Sequence, residues 1–359
     1  MNKSALLSIL ALSMCSGCFA EEQYDSRRAL IEAWGKDIII PTYNEFESRA
    51  LILRNLTIDL CKEPSEKTLR RAQIAWWNAR SPWKQMEIFA FGPFINEPWR
   101  IGPRIDSWPV RVSRIEQVLQ NEDAISIDGL GTFQKGFPAI EYLLYPSKID
   151  IVDTFSADQQ RCAYLLVAVI DLERGAKEMR RAWDPNYDDF ISELTDAGAG
   201  STTFTSLNAA VEEVVNRMAF TVDNIRSEKL GRPLGFPPTG NPQPTKVESQ
   251  FSGRSLEDIR DNLLGIENIY FGLSSTSSMS LDDLIHSRGI DLGTKMNEHL
   301  TKSRSALDNI QIPLTQSIVD SPGDVVRLSD RLRDLQRFIQ IDIIGALSLA
   351  STFNNSDGD

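Results

Sequence analysis

The sequence predicts an all-α fold of two tandem helical bundles, each of four-helix type, packed against each other and joined with Pro-rich ordered loops. Three observations carry that expectation. Apolar residues recur at alternating three- and four-residue steps over long stretches, no run alternates in the manner of a half-buried strand, and each half holds one Pro-rich insertion between helical patterns.

The chain opens on a basic tip, Met1-Asn2-Lys3, followed by an apolar stretch from Ser4 to Met14 that is too short to span a bilayer permanently. Residues 1–20 therefore read as an export signal. Cys15-Ser16-Gly17-Cys18 has the small residues of a bacterial lipoprotein processing box, with Cys15 where Leu is usual, and makes Cys18 the lipidation candidate. Cys18-Phe19-Ala20 before Glu21 would serve an ordinary signal peptidase instead. Either route leaves the mature chain outside the cytoplasm, in the periplasm of a bacterium or as an outer-membrane lipoprotein. No further run of about 18 apolar residues exists, so a membrane is met only through a lipid anchor.

Helix boundaries follow the punctuation. Ser65 starts a helix after Pro64, and Leu69, Ala72, Trp76, Ala79, Trp83 and Met86 form its packing seam, which Pro82 should kink or break. Phe91 to Pro109, with five prolines or glycines between its ends, is an ordered loop or a set of short turns. Phe137-Pro138-Ala139-Ile140-Glu141 reads as a helix start with Pro in the first turn and a carboxylate one turn on; a charge in so apolar a helix is paired, ligated or turned outward. Ser156 with Gln159 looks like a capping box for the seam through Cys162, Leu165, Val169 and Leu172, and Trp183-Asp184-Pro185 ends that helix. The stretch Asp196 to Ser201 divides the mature chain into bundles of residues 21–197 and 198–359. In the second, Gly231 to Pro244 is the Pro-rich insertion, Ser255 caps a helix over Leu256 to Tyr270, and Ser321-Pro322-Gly323-Asp324 sets up the last helix.

Charge narrows the partners. Loss of residues 1–20 removes one Lys and leaves 37 basic against 50 acidic side chains, a balance of −13 that excludes nucleic acid as a partner. Cys61 and Cys162 remain after processing, and in an oxidising compartment they read as one disulfide, the alternative being two buried thiols.

Candidate chemistry lies in carboxylates. His286 and His299 stand alone in the second half, without the partners of a zinc site, and no G-x-S-x-G elbow is present. Glu87, Asp106 and Glu141 supply hard oxygen donors that suit iron, another divalent cation or a polar small ligand. On spacing alone, pairing of each with an arginine such as Arg80, Arg100 or Arg104 explains them better. Ser252-Gly253-Arg254-Ser255 reads as a helix entry, or as an anion-binding helix N-terminus supported by Arg254. The crowd of Trp76, Trp77, Trp83, Trp99 and Trp108 is core and loop packing before it is a ligand-stacking wall.

Together these residues resemble a known family. Trp83-x3-Glu87-x3-Phe91-Gly92-Pro93, Asp106-Ser107-Trp108-Pro109, Gly136-Phe-Pro-Ala-Ile-Glu141 and Glu248-Ser249-x2-Ser252-Gly253-Arg254-Ser255 are similar to segments of imelysin-like proteins of bacterial envelopes. The ending Phe353-Asn354-Asn355-Ser-Asp357-Gly358-Asp359 resembles that of a predicted-lipoprotein branch. The resemblance implies two helical bundles with a site in the cleft between them, a role in iron acquisition, and a family claim to metallopeptidase activity. Its signature is Gly-x-His-x-x-Glu, and here Pro138 occupies the His position while Gly136 and Glu141 match. Proline has no ligating side chain, so a water-activating metal lacks one of the roughly three protein ligands it needs. The expectation is a non-enzymatic binding protein for a metal ion or small ligand. Glu87, Asp106, Trp108 and Glu141 would face the cleft from the first half and Ser252 and Arg254 from the second, with Glu141 and Glu87 as metal ligands. A metallopeptidase of the imelysin type, and an envelope module docking a protein partner, are the alternatives.

Overall fold

The computed structural model describes residues 26–121, 124–145, 155, 159–236 and 240–351, and all regular elements among them are helical. The export signal with Cys18, the Ser156 capping position and the Phe353 to Asp359 ending lie outside the described residues.

The first four-helix group is built from α1, α2, α5 and α6. Helix α1 covers residues 26–62, with a π-helical turn at Trp34–Ile39 ahead of its main body Ile40–Lys62. Ser65 caps α2 (Glu66–Gln85): its hydroxyl accepts from Thr68 N at 3.2 Å while the Thr68 hydroxyl accepts from Ser65 N at 3.0 Å. Of the kink or break expected at Pro82, the break does not occur: α2 runs on through it to Gln85. A proline leaves the carbonyl four residues back without its N–H partner, and here Arg49 Nη1 on α1 donates to Asn78 O at 2.7 Å, so the lost bond is replaced from a neighbouring helix.

Short turns at Met86–Phe89 and Gly92–Phe94, then α3 (Gly102–Ile105) and α4 (Val112–Leu119), carry the chain through the Pro-rich loop. Helix α5 (Gly136–Leu144) packs on α2 and on α6 (Gln159–Trp183), and α7 (Phe190–Thr195) follows. The expected Cys61–Cys162 disulfide is present and ties the end of α1 to the start of α6.

The second group is α8, α9, α11 and α13. Helix α8 (Leu207–Asn224) runs on into a π-helical turn, Ile225–Gly231, and a last turn at Arg232–Leu234. Helix α9 (Ser255–Phe271) packs on α11 (Gly293–Asp308), with α10 (Leu281–His286) and α12 (Leu314–Asp320) bridging between longer helices. Helix α13 (Pro322–Phe338), entered through Ser321 as expected, lies against α8 and α11 and ends in a third π turn, Ile339–Ile343. Ser255 is not the cap of α9: it is the first helical residue, and its hydroxyl donates to the Glu248 carbonyl.

The two groups share one apolar cluster that runs from Leu30 to Leu347. Helix α9 crosses α2, α8 packs on the Met86–Phe89 turn, and Trp34 Nε1 donates to Ile269 O at 3.0 Å. The α2–α9 crossing depends on Gly265, where a Cβ would stand 2.2 Å from Gln85 O. Because that neighbour is backbone, Gly265→Ala should push the helices apart and cost about 1–3 kcal/mol, outweighing the ~1 kcal/mol gained from helix propensity. Urea denaturation of the variant checks this; unchanged or increased stability would show that the close approach is dispensable.

Candidate functional site

Where α2 meets α9, the core gives way to charge. Arg80 and Lys84, one helical turn apart on α2, are both buried, and each reaches three carboxylates. Arg80 Nε donates to both oxygens of Asp258 at 3.0 Å, Nη1 to Asp106 Oδ1 at 3.1 Å and Nη2 to Glu248 Oε1 at 2.9 Å. Its guanidinium lies over the rings of Phe137 and Trp76, 5.4 and 5.6 Å from their centroids. Lys84 Nζ donates to Asp106 Oδ2 at 2.6 Å and makes short bonds to Glu87 Oε1 and Glu248 Oε1. Trp83 Nε1 donates to Asp106 Oδ2 at 3.0 Å.

The second half closes the network. Lys229, presented by the π turn after α8, donates to Glu87 Oε2 and Asn262 Oδ1, both at 2.7 Å, and pairs with Glu248 Oε2 at 3.1 Å. Asn262 returns its amide to Lys84 O and Glu87 Oε2 at 2.7 Å. Arg254, stacked 5.2 Å over Trp77, bonds Asp258 and, at 2.7 Å, Asp261; Ser249 and Ser81 hydroxyls donate to the same two carboxylates. Four cations thus meet five carboxylates drawn from α2, the Met86–Phe89 turn, the loop after α3, the π turn, the 248–254 segment and α9.

Glu141 sits beside this network. The start of α5 reaches it through Gly136, at φ +65°, where a Cβ would stand 2.0 Å from Ile105 O, so only glycine lets α5 rest on the turn that carries Asp106. Glu141 Oε1 accepts from Phe251 N at 3.1 Å, Ser252 N at 2.8 Å and Ser252 Oγ at 2.6 Å. The Ser252 to Arg254 stretch, read from sequence as a helix entry or as an anion-binding helix N-terminus, here turns its Ser252 donors to a carboxyl group of the same chain, while Arg254 bonds Asp258 and Asp261 instead.

Environment separates these acids. Burial works against ionising Glu248, Glu87 and Asp258, yet the facing cations prevail: Lys229, Lys84 and Arg80 hold Glu248 well below the carboxylate range, Lys229 and Lys84 lower Glu87, and Arg80 and Arg254 lower Asp258. Burial also opposes the charges of Arg80 and Lys84, but Asp106, Glu248 and their companions raise both. Glu141, with hydrogen bonds but no ion pair, goes the other way: burial raises it from 4.5 to about 7 despite the Ser252 hydroxyl and amide. The folded state then holds a proton that the unfolded chain gives up near 4.5, so this group's contribution to stability is full below that pH and lost as pH rises to about 7. Urea midpoints should fall by the equivalent of about 1–3 kcal/mol between pH 5 and 7.5. Glu141→Gln should flatten that window, and a slope unchanged in the variant would assign it to other groups.

Of the residues expected from sequence, Glu87, Asp106 and Arg254 enter the network and Glu141 joins Ser252 at its edge. Trp108 is part-exposed on the loop after Asp106 and takes no part in the network. The arginine-pairing reading holds for Asp106 with Arg80, whereas Arg104 pairs with Glu178 at 2.5 Å and Arg100 stays exposed. Lys84, Lys229, Asp258, Asp261 and Asn262 were not anticipated. Lys84 was detectable only as a cation three residues before Glu87; nothing local marks Lys229, whose partners Glu248, Asn262 and Glu87 stand 19, 33 and 142 residues away. An open cavity of about 590 Å³ lies elsewhere, lined by Arg226, Arg232, Lys246, Glu228 and Phe236 among others, and none of the site residues expected from sequence lines it.

The donor set at the junction can be set against a metal. Glu87, Asp106 and Glu248 bring one oxygen each within 4.8 Å of one another, a ligand spacing that suits a hard cation. Lys84 Nζ already bonds all three, so the residues as placed do not fit a metal ion.

Comparison with known proteins places the chain among relatives. The family model described as imelysin matches residues 39–337. A protein named iron-regulated protein A from Synechococcus elongatus is 27% identical over 308 residues, covering 83% of this chain and 80% of that one. Among solved structures, a putative iron-regulated protein A precursor from Parabacteroides distasonis superposes with a TM-score of 0.77 at 21% identity, over 90% of this chain and 94% of that one. An imelysin-like protein from Psychrobacter arcticum gives 0.72 at 18% identity, over 92% and 98% of the two chains. These likenesses support the all-helical fold independently of the packing described above.

Proposed function

This chain belongs to the imelysin family, and from that premise we propose that it is an exported bacterial envelope protein that serves iron handling by binding rather than by peptide cleavage. The observation that carries the reading is the junction itself: side chains of both halves converge there on Glu87, Asp106 and Glu248, with Glu141 and Ser252 joined at its edge. The iron connection rests on the relative named iron-regulated protein A. Export and Cys18 lipidation rest on residues 1–20, and no helix of the described residues is long and apolar enough to cross a membrane.

Cleavage is disfavoured on geometry. A hydrolytic metal needs an open coordination position, whereas the convergent carboxylates here are taken up by Lys84, Lys229 and Arg80, and Glu141 Oε1 by three donors of the 251–252 turn. Pro138 stands where the family resemblance puts its histidine. In place of catalysis, the junction offers polar recognition between two halves that share a core. Among the described residues each Pro-rich segment exposes one large apolar side chain, Ile95 and Phe236, and single exposed residues of this kind do not make a docking patch.

The test is titration of periplasmically purified protein with ferric citrate, ferrous ion and ferric ion, alongside Glu141→Ala, with peptide hydrolysis followed in parallel. Saturable binding of an iron species, weakened in the variant and without hydrolysis, is the expected result. Hydrolysis lost in Glu141→Ala would install the metallopeptidase reading. Failure to bind any of the three would make the junction a structural clamp and turn the search to protein partners.

A further inference from the structure

We propose that the focus of Glu87, Asp106 and Glu248 is a cation site whose resident cation is the chain's own Lys84 ammonium, so that the junction takes no bare metal ion. The proposal rests on the junction being the ligand-recognising site and narrows its ligand: a polar molecule, or a metal whose coordination is already filled by a chelator.

The geometry matches donor to acceptor. An ammonium has three N–H donors and no acceptor, and Lys84 Nζ meets one oxygen from each of the three carboxylates, at 2.6 Å for Asp106 Oδ2 and in short bonds to Glu87 Oε1 and Glu248 Oε1. Those are groups that, without Nζ, stand at metal-ligand spacing. The outward oxygens have partners of their own: Glu87 Oε2 accepts from Lys229 and Asn262, and Asp106 Oδ1 from Arg80. Glu248 Oε2 is buried without a hydrogen bond and has only the Lys229 charge at 3.1 Å, so even this trio's spare lone pairs face a cation.

Lys84 has nowhere to withdraw. Its side chain is fully buried, and its own carbonyl is fixed by Asn262 Nδ2 at 2.7 Å. A metal entering the focus would displace an ammonium that has no route to water, and would stand beside Arg80 and Lys229 as well. Removing the Lys84 charge leaves the three carboxylates in place with Arg80 and Lys229 as their remaining cations, one too few to match their charge. The vacated position then suits a hard, oxygen-preferring divalent ion.

Manganese(II) titration followed by the EPR signal of the free ion tests this on the mature chain, with thermal unfolding measured with and without Mn²⁺. Wild type is expected to bind no stoichiometric Mn²⁺ below millimolar concentration and to keep its Tm. Lys84→Ala is expected to bind one Mn²⁺ per chain at least 100-fold more tightly, with a Tm that rises on adding the ion, and Lys84→Ala/Glu248→Gln to lose both effects. Stoichiometric uptake by wild type that Glu248→Gln abolishes would overturn the proposal. So would a folded Lys84→Ala that gains no affinity. If Lys84→Ala does not fold alone, recovery of its helical circular dichroism on refolding with Mn²⁺ is the expected outcome; if that fails, Lys84→Gln takes its place under the same criteria. Absence of ferric citrate binding beside these manganese results would sink the binding function and leave the Lys84 assignment standing.

Discussion

Arg80→Met is expected to cost about 3–5 kcal/mol of unfolding free energy, the loss typical of removing one partner from a buried ion network. The cause is what stays behind. Methionine fills most of the volume against Trp76 and Phe137, but Asp258 and Asp106 lose guanidinium donors, and Glu248 loses one of its three cations. Asp258 is fully buried and would keep only Arg254 and the Ser249 hydroxyl. Arg80→Lys should recover less than half, because one compact ammonium lacks the spread of the planar guanidinium, whose Nε, Nη1 and Nη2 reach Asp258, Asp106 and Glu248 at once. Equilibrium urea denaturation measures both. Coupling gives the sharper check: Arg80→Met/Asp258→Asn should be less destabilised than the sum of its single variants by about 1–3 kcal/mol. Additive losses, or a single-variant cost under about 1 kcal/mol, would show that the network carries little of the junction's stability.

The helices were legible because burial repeats with the helical period. The seam through Trp76, Ala79 and Trp83 is buried along α2, and the Ser65 cap and the stop at Trp183 fall where the sequence places them. Pro82 left kink and break both open because its remedy is non-local: whether a helix survives a proline depends on who takes the orphaned carbonyl, and Arg49 lies 29 residues from Asn78. Glu141 was legible as a carboxylate out of place in an apolar helix, yet the choice among pairing, ligation and exposure was settled by a turn 110 residues away. Lys229 looks like an ordinary surface lysine in sequence, and Lys84 shows only its three-residue spacing from Glu87. Only the crossing of α2 with α9, permitted by Gly265, and the π turn after α8 bring their ammonium groups to the same carboxylates. A cation site and a salt-bridge network use the same acids, so the acids alone could not tell the two apart.

Removal of the Cys61–Cys162 cross-link is expected to cost about 2–5 kcal/mol. The two cysteines are 101 residues apart, and a closed loop of that size restricts the unfolded chain by about 4.7 kcal/mol in the chain-entropy account. The position of the loop matters as much as its length. It contains α2 to α5, and with them every first-half contribution to the junction: Arg80, Lys84, Glu87, Asp106 and Glu141 all lie between Cys61 and Cys162. The disulfide therefore limits the freedom of the segment that must be ordered before any second-half residue finds its partner. Cys61→Ser/Cys162→Ser, compared with wild type in urea with and without dithiothreitol, should show the loss without reductant, and wild type should fall to the variant's midpoint once reduced. Because the folded packing of α1 on α2 and α6 is unchanged by the substitution, the variant should keep its helical circular dichroism at low urea. A variant as stable as wild type, or one whose own midpoint still moves with reductant, would show that the bridge does not form in the mature protein. A chain closed by such a bridge gains from it what its charged junction cannot supply. Ion pairs at the α2–α9 crossing specify which surfaces meet, whereas the cross-link lowers the entropy of the chain that has to bring them together.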